Sequence, residues 1–312
     1  MTARKHLRIA TRKSPLAYWQ ANAVKMQLEK HYPFMRIELF PLVTEGDRYL
    51  ETSLNKLGGK GLFVKELEKA LLNGDADIAV HSMKDVPMDL AKGLKLTAIC
   101  EREDVRDVLI STSGENIKQL PSGSNVGSSS LRRQSQLMAL RPDLTVQVLR
   151  GNIGTRLEKL AAGEYDAIIL AAAGLIRLQK TSCISEYLEP SYFLPAPGQG
   201  ALGIESRSDD NELLSLMAIL NHKSTYDCVS AERALSRQLA GSCQVPIAAY
   251  AECLPNEQLR LQGLVAKPDG SLLIRVEKHG SVNEVEKLGI TAARELLAQG
   301  ADRILQDLSW SS

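Results

Sequence analysis

Short apolar runs recur along the chain as far as Arg177, each breaking off into a charged or hydroxyl-bearing turn, and most are followed by helical spacing. That order leaves few architectures open. It builds doubly wound α/β layers around buried sheets. Leu7-Arg8-Ile9-Ala10-Thr11 alternates as a strand, then Arg12-Lys13-Ser14 leads to Pro15 and a helix running through Leu28. Ser14 suits an N-cap and Pro15 the first helical position. Asn125-Val126-Gly127 passes through Ser128-Ser129-Ser130 into Leu131-Arg132-Arg133. Leu144 to Leu149 ends in Arg150-Gly151-Asn152, and Arg156 lies in the next helix, which stops near Ala162-Gly163. Ala167 to Ala171 reads as a strand of a parallel sheet covered on both faces, with Arg177 shortly after it.

Ile78-Ala79-Val80 is another such run, and it stops in His81-Ser82-Met83-Lys84-Asp85-Val86-Pro87. Pro87 cannot continue a central strand. In open α/β sheets ligands bind beyond the carboxyl ends of the strands, so this polar ending suits the floor of a site. Taken alone, a solvated junction with a Lys84–Asp85 ion pair is the better reading, and the rest of the chain reverses that. Ile37 to Val43 and Leu94 to Ile99 complete the strands of this half. Between them, Thr44 to Gly61 is long, polar and glycine-bearing, and Lys56 and Lys60 make it either a mobile cover for an acidic ligand or a plain connection. Phe63 begins a helix to Leu72 and is read as core or as an aromatic wall of the site.

The pattern resets near Glu101 to Arg106, and Val108 to Ile110 opens the second half. Pro195-Ala196-Pro197-Gly198-Gln199-Gly200 is a stiff crossing segment. After it, Gly203 to Glu205 returns as a strand, and Asn211 to Leu220 as a helix, taking the chain back to the first half. Asn221 to Ser224 is read as a linker. A helix from Thr225 to Leu239, three alternating strands (Ile247 to Ala251, Leu259 to Val265, Leu272 to Glu277) and a helix from Val282 to Ala298 form a small α+β domain. The domains expected are thus 1–100 with 200–220, 101–199, and 221–312.

Net charge is +1 and aromatics are 4%, which argues against nucleic acid as a partner. No apolar run approaches a membrane span and the start lacks a signal-peptide core, so a cytoplasmic protein is expected. Cys100, Cys183, Cys228, Cys243 and Cys253 are odd in number and lack metal-ligand spacing, so free thiols and no metal site are expected. Cys243, framed by Gly241 and Pro246, sits on a loop at the head of the small domain.

Arginines gather at the strand ends: Arg12, Arg132, Arg133, Arg150, Arg156 and Arg177, with Lys56, Lys60 and Lys84 beside them. Guanidinium binds carboxylate bidentately, so this set points to a ligand with several carboxylates or phosphates. Arg132 and Arg133 fall in the first turn of a helix, where the dipole disfavours cations unless an anion joins them. Neither a P-loop nor a G-x-G-x-x-G is present, which weakens nucleotide readings. Asp85 is a lone carboxylate within this basic field and suits stabilisation of a developing cation.

The motifs His81 to Pro87, Gly127 to Arg133, Arg150-Gly151-Asn152, Pro195 to Gly200 and Gly241-Ser242-Cys243 together resemble the porphobilinogen deaminases over essentially the whole chain. Ser128 stands where that family commonly has threonine, and the hydroxyl is kept. The resemblance implies two lobes like those of type II periplasmic binding proteins, an active cleft between them, and a small C-terminal domain. It implies a transferase that joins porphobilinogen units head to tail with loss of ammonia, releasing hydroxymethylbilane, for porphyrin and heme biosynthesis. It implies a dipyrromethane cofactor on a thioether to Cys243 and Asp85 as the catalytic carboxylate. Ser14, Lys84, Ser82, Ser128, Ser130, Arg132 and Arg133 would hold the cofactor. Arg12, Arg150, Arg156, Arg177, Gln199, Lys56, Lys60 and Phe63 would meet substrate. A monomer is expected. The competing reading is a non-enzymatic two-lobed binding protein for an anionic solute, which has no use for Cys243 or Asp85.

Overall fold

The computed structural model describes residues 4–48, 64–239 and 245–310. The chain divides into two compact units, 1–103 with 200–226 and 104–199 with 227–312.

In the first unit, β1 (His6–Arg12), β2 (Arg36–Leu42), β3 (Ile78–Ser82), β4 (Leu94–Ile99) and β10 (Leu202–Arg207) form one sheet in the order β2-β1-β3-β10-β4. β1 runs parallel to β2 and β3, while β10 runs antiparallel to both β3 and β4. Period-two alternation feeds both faces. Ile9, Ile78 and Val80 pack under α1 (Pro15–His31) and α7 (Asn211–Met217), while Ala10 and Ala79 pack under α3 (Lys65–Leu72). The small alanines on that second face leave room for Leu67 and Leu71. The polar segment after β2 opens with a short helix, α2 (Glu45–Arg48); the rest of it, with Lys56, Lys60 and Phe63, lies outside the described residues.

In the second unit, β5 (Asp107–Ser111), β6 (Asn125–Gly127), β7 (Thr145–Gln147), β8 (Ala167–Ala171) and β9 (Glu186–Leu188) form a sheet ordered β7-β6-β8-β5-β9. Leu109 and Ile169 face α4 (Leu131–Leu140), and Val108, Ile110, Ile168 and Leu170 face α5 (Ile153–Ala161) and α6 (Ala172–Arg177). The same unit holds an antiparallel sheet of β11 (Ile247–Leu254), β12 (Gln258–Ala266) and β13 (Leu273–Ser281). One face of it packs on α8 (Lys223–Gln238) and α9 (Val285–Leu296), with α10 (Asp302–Trp310) beyond; the other meets Leu194 through Ala248, Leu264 and Ala266.

Several expectations are corrected. β3 continues through His81 and Ser82, because β10 pairs with both of them. The expected strand from Leu144 to Leu149 shortens to Thr145–Gln147, where β6 offers only three partners. β8 is parallel to β6 but antiparallel to β5, so its sheet is mixed. The expected linker at Asn221–Ser224 already enters α8 at Lys223. The last helix breaks where Gly300 takes a φ of 99°, and a second helix follows. Among the described residues, no helix is long and apolar enough to cross a membrane.

Gly203 of β10 lies opposite His81, with Met83 pressed against its bare α-carbon. A methyl group there would overlap Met83 Sδ and sit 3.1 Å from Leu96 Cδ2. Gly203→Ala should therefore lower stability by about 1–3 kcal/mol, the usual range for overpacking. An unchanged urea midpoint would show that Met83 is not held by this contact.

Candidate functional site

In the first unit, two strand ends carry the polar residues. Ser14 caps α1, its Oγ accepting from Ala17 N at 3.4 Å, and Pro15 fills the first helical turn. Arg12, just before it, is half-buried at the end of β1. At the end of β3 the Ser82 Oγ accepts from Gln20 Nε2 at 2.9 Å, and Gln20 is itself buried on α1. The sequence-predicted Ser82 thus ties β3 to α1.

A single 3-10 turn, Met83–Asp85, follows. Its conformation is fixed from below: Met83 is buried, its N–H donates to Ala201 O at 3.0 Å, and Val86 N closes the turn onto Met83 O at 3.2 Å. Lys84 is left half-buried and Asp85 exposed. Beneath the turn, His81 Nε2 and Glu205 Oε2 lie 2.9 Å apart in the core. Glu68, nearby, is pushed above the usual carboxylate range by burial, with Glu205 adding to the effect.

In the second unit the same design recurs at the start of α4. Ser128 Oγ accepts from Ser130 N at 3.3 Å, and Ser130 caps the helix by accepting from Arg133 N at 3.4 Å. Arg132 and Arg133, expected in contact with a ligand, are buried and hold Asp107. Arg132 Nη1 donates to Asp107 Oδ2 at 2.6 Å and to Leu194 O at 2.7 Å. Arg133 donates to Asp107 Oδ1 from Nε at 3.0 Å and Nη2 at 2.7 Å, and to Ile169 O at 2.9 Å. Gln199 joins them, donating to Asp107 Oδ1 at 3.1 Å and Val105 O at 2.7 Å. Two guanidiniums on one carboxylate leave a positive charge in excess within a buried cluster. Burial pushes Asp107 up, but the two arginines outweigh it and hold the carboxyl far below its ordinary range. Burial depresses Arg132, with Asp107 opposing.

Arg150 and Arg156 flank the turn into α5 and are half-buried. Gly151 takes a φ of 114° there, Asn152 Oδ1 accepts from Thr155 N at 3.0 Å, and Arg156 Nε donates to Gly151 O at 2.8 Å. Arg177 is buried in the last turn of α6. Cys243 lies outside the described residues.

Three residues that position the site were not singled out in the sequence. Asp107 could have been found as a lone acid heading the apolar run Val108-Leu109-Ile110. Glu205 ends a predicted strand but carries no motif. Glu232 is buried on α8 and accepts from Gly198 N at 2.6 Å and Ala251 N at 2.8 Å, linking the crossing segment to β11. Nothing in its helical spacing marks it.

Two family models match the chain. One describes the dipyrromethane cofactor-binding domain of porphobilinogen deaminase and covers residues 7–215. The other describes the C-terminal domain of porphobilinogen deaminase and covers 226–298. Among solved structures, the chain is similar to the VFT2 domain of Bordetella pertussis BvgS, with 16% identity over 70% of this chain and 85% of that one and a TM-score of 0.42. It is similar to the periplasmic aliphatic sulphonate binding protein SsuA of Escherichia coli, with 14% identity, 76% and 71% coverage and a TM-score of 0.42. It is also similar to a periplasmic binding protein of Salmonella typhimurium with high arginine specificity, with 16% identity, 72% and 94% coverage and a TM-score of 0.42.

The Asp107 cluster has a measurable acid signature. Its folded carboxyl titrates below its unfolded value, so its contribution is complete above about pH 4 and falls away as pH drops below that. Asp107→Asn should flatten this part of the stability curve. Asp107→Ala should cost about 3–5 kcal/mol at neutral pH, because two buried guanidiniums lose their counter-charge. Urea denaturation between about pH 2 and pH 7 reads both. A parallel acid limb in Asp107→Asn and wild type would remove Asp107 as its source.

Proposed function

The chain belongs to the porphobilinogen deaminase family, and on that premise we propose that it joins porphobilinogen units head to tail, losing ammonia at each coupling, and that water then releases the linear hydroxymethylbilane. The observation that carries this reading is the match of both family models, one after the other along the chain. The chemistry of these side chains supports it. Each porphobilinogen brings an acetate and a propionate, so a growing chain of rings presents many carboxylates. Arg12, Arg150, Arg156 and Arg177 bind those carboxylates, with Gln199, Lys56, Lys60 and Phe63 as further substrate contacts. Guanidinium forks suit planar carboxylates better than ammonium groups do.

The residues present also fit the family's dipyrromethane. The buried cluster of Asp107, Arg132 and Arg133 has one positive charge in excess, and a carboxylate of the cofactor matches it. Ser14, Ser82, Lys84, Ser128 and Ser130 are the other holding groups, and Cys243 is the thioether attachment point. When bound, the dipyrromethane supplies the pyrrole carbon from which the chain is extended.

Asp85 does the electrostatic work. As ammonia leaves porphobilinogen, positive charge spreads over its pyrrole ring, and an ionised carboxylate beside the ring stabilises that charge and accepts the pyrrole N–H. The turn that carries Asp85 is anchored through buried Met83, so the backbone that presents the carboxylate is set before reaction.

Two measurements test this. In cofactor-loaded protein, Asp85→Asn should bind substrate yet slow single-turnover coupling by about 10²–10³-fold, the scale for one electrostatic stabiliser. Asp85→Glu should retain more activity than Asn. Equal rates for wild type and Asn would demote Asp85 to a positioning role. The intact mass of the purified protein should exceed that of the sequence by one dipyrromethane, and Cys243→Ser should lose the excess. A mass equal to the sequence, with no coupling activity, would favour the anionic-solute binding protein instead.

A further inference from the structure

The core of the C-terminal sheet ends in a pair of thiols. Ile247, Ala249 and Ala251 form the row of β11 that faces the core, and Cys253 continues that row at the end of the strand, opposite the fully buried Leu259. On α8, Cys228, Ala231 and Leu235, with Leu239 just past its end, make the stripe that packs on this face. The two rows meet at their outer ends, and there Cys228 Sγ lies 3.7 Å from Cys253 Sγ. Cys228 is buried and Cys253 is exposed. A buried cysteine by itself packs as a small hydrophobe. A second thiol in contact with it, open to solvent on its outer side, changes the chemistry available.

We propose that Cys228 and Cys253 are a reversible oxidation site that closes to an intramolecular disulfide under peroxide. The steps balance. The Cys253 thiolate attacks one oxygen of hydrogen peroxide; the O–O bond breaks, and the departing hydroxide takes up a proton as water. Cys253 is then a sulfenic acid. The Cys228 thiolate attacks that sulfur; the S–S bond forms, the S–OH bond breaks, and a second water leaves. Two thiols and one peroxide give one disulfide and two waters. A dithiol reductant reverses the change by thiol–disulfide exchange. The exposed member meets the oxidant and the buried member resolves it, which keeps Cys253 from running on to sulfinic acid.

The two sulfurs need close only to about 2 Å, a shift within reach of side-chain rotation. The cysteines are 25 positions apart, and the chain between them carries Cys243. Closing the disulfide therefore restrains the unfolded chain across the segment proposed to hold the cofactor. The inference does not depend on that role, because the thiol pair stands whatever Cys243 carries.

The test uses the full chain, fully reduced and then treated with a stoichiometric amount of hydrogen peroxide. Free thiols are alkylated, and the protein is digested without reductant. The expected result is a peptide pair linked through Cys228 and Cys253, lighter by two hydrogens than the separate peptides. It should appear in wild type, Cys100→Ser, Cys183→Ser and Cys243→Ser alike, be absent from Cys253→Ser, and be undone by dithiothreitol. Oxidised wild type should melt a few degrees above the reduced protein, while Cys253→Ser should show no such rise. Full alkylation of both cysteines after peroxide, or conversion of Cys253 to sulfinic acid without a cross-link, would overturn the proposal. So would a disulfide that pairs either one with another cysteine.

Discussion

Asp107 holds the second unit's polar architecture together. Arg132, Arg133 and the neutral Gln199 are out of water around it, and each must find donors or acceptors in the fold. They do so by reaching into different parts of the unit. Arg132 also takes the carbonyl of Leu194, Arg133 that of Ile169 on β8, and Gln199 that of Val105. One carboxylate therefore sets where α4 begins relative to β5, β8 and the crossing segment. Because α4 begins there, its cap Ser130 and the hydroxyl turn before it are fixed as well. Replacing the cluster with apolar side chains could preserve packing. It would remove the excess positive charge to which the proposed cofactor carboxylate is matched.

Among the described residues, the first unit reaches a similar end without buried arginines at its strand ends. Met83 is pinned by shape, against a glycine, and by a backbone hydrogen bond to Ala201. Gln20 holds the last residue of β3 to α1 through a neutral hydrogen bond. The contrast follows from what each place must present. On the role proposed for Asp85, its turn gains from a rigid support without a buried guanidinium, which would compete for the same charge. A turn that offers positive charge can be built on arginine directly.

Much of this was legible in the sequence because it depends on local periodicity. The strand–turn–helix order, the cap Ser14, the hydroxyl-rich turn before Leu131, the return of the chain at Gly203 and the three C-terminal strands all follow from spacing and turn chemistry. What spacing does not carry is partnership. Arg132 and Arg133 look alike whether they bind a ligand or an internal acid, and Asp107 stands 25 positions before Arg132 with nothing local to join them. Glu232 and Glu205 are long-range acceptors for the same reason. Element ends were missed where a neighbouring strand decides them: β3 gains two residues from β10, and the strand after Leu144 loses its ends because β6 is short.

The place of β10 bears on how the chain is made. It lies between β3 and β4, antiparallel to both, yet it is synthesised long after them: Glu205 follows His81, its partner in the core, by 124 positions. Until the ribosome has delivered Leu202–Arg207, β3 presents an unpaired edge, and the histidine beneath the Asp85 turn lacks its carboxylate. An exposed strand edge is a template for pairing with other chains. The first unit is thus begun first and closed late, with a vulnerable interval while 104–199 emerges. Slow translation over that stretch lengthens the interval, and a chaperone that shields strand edges has its greatest effect there.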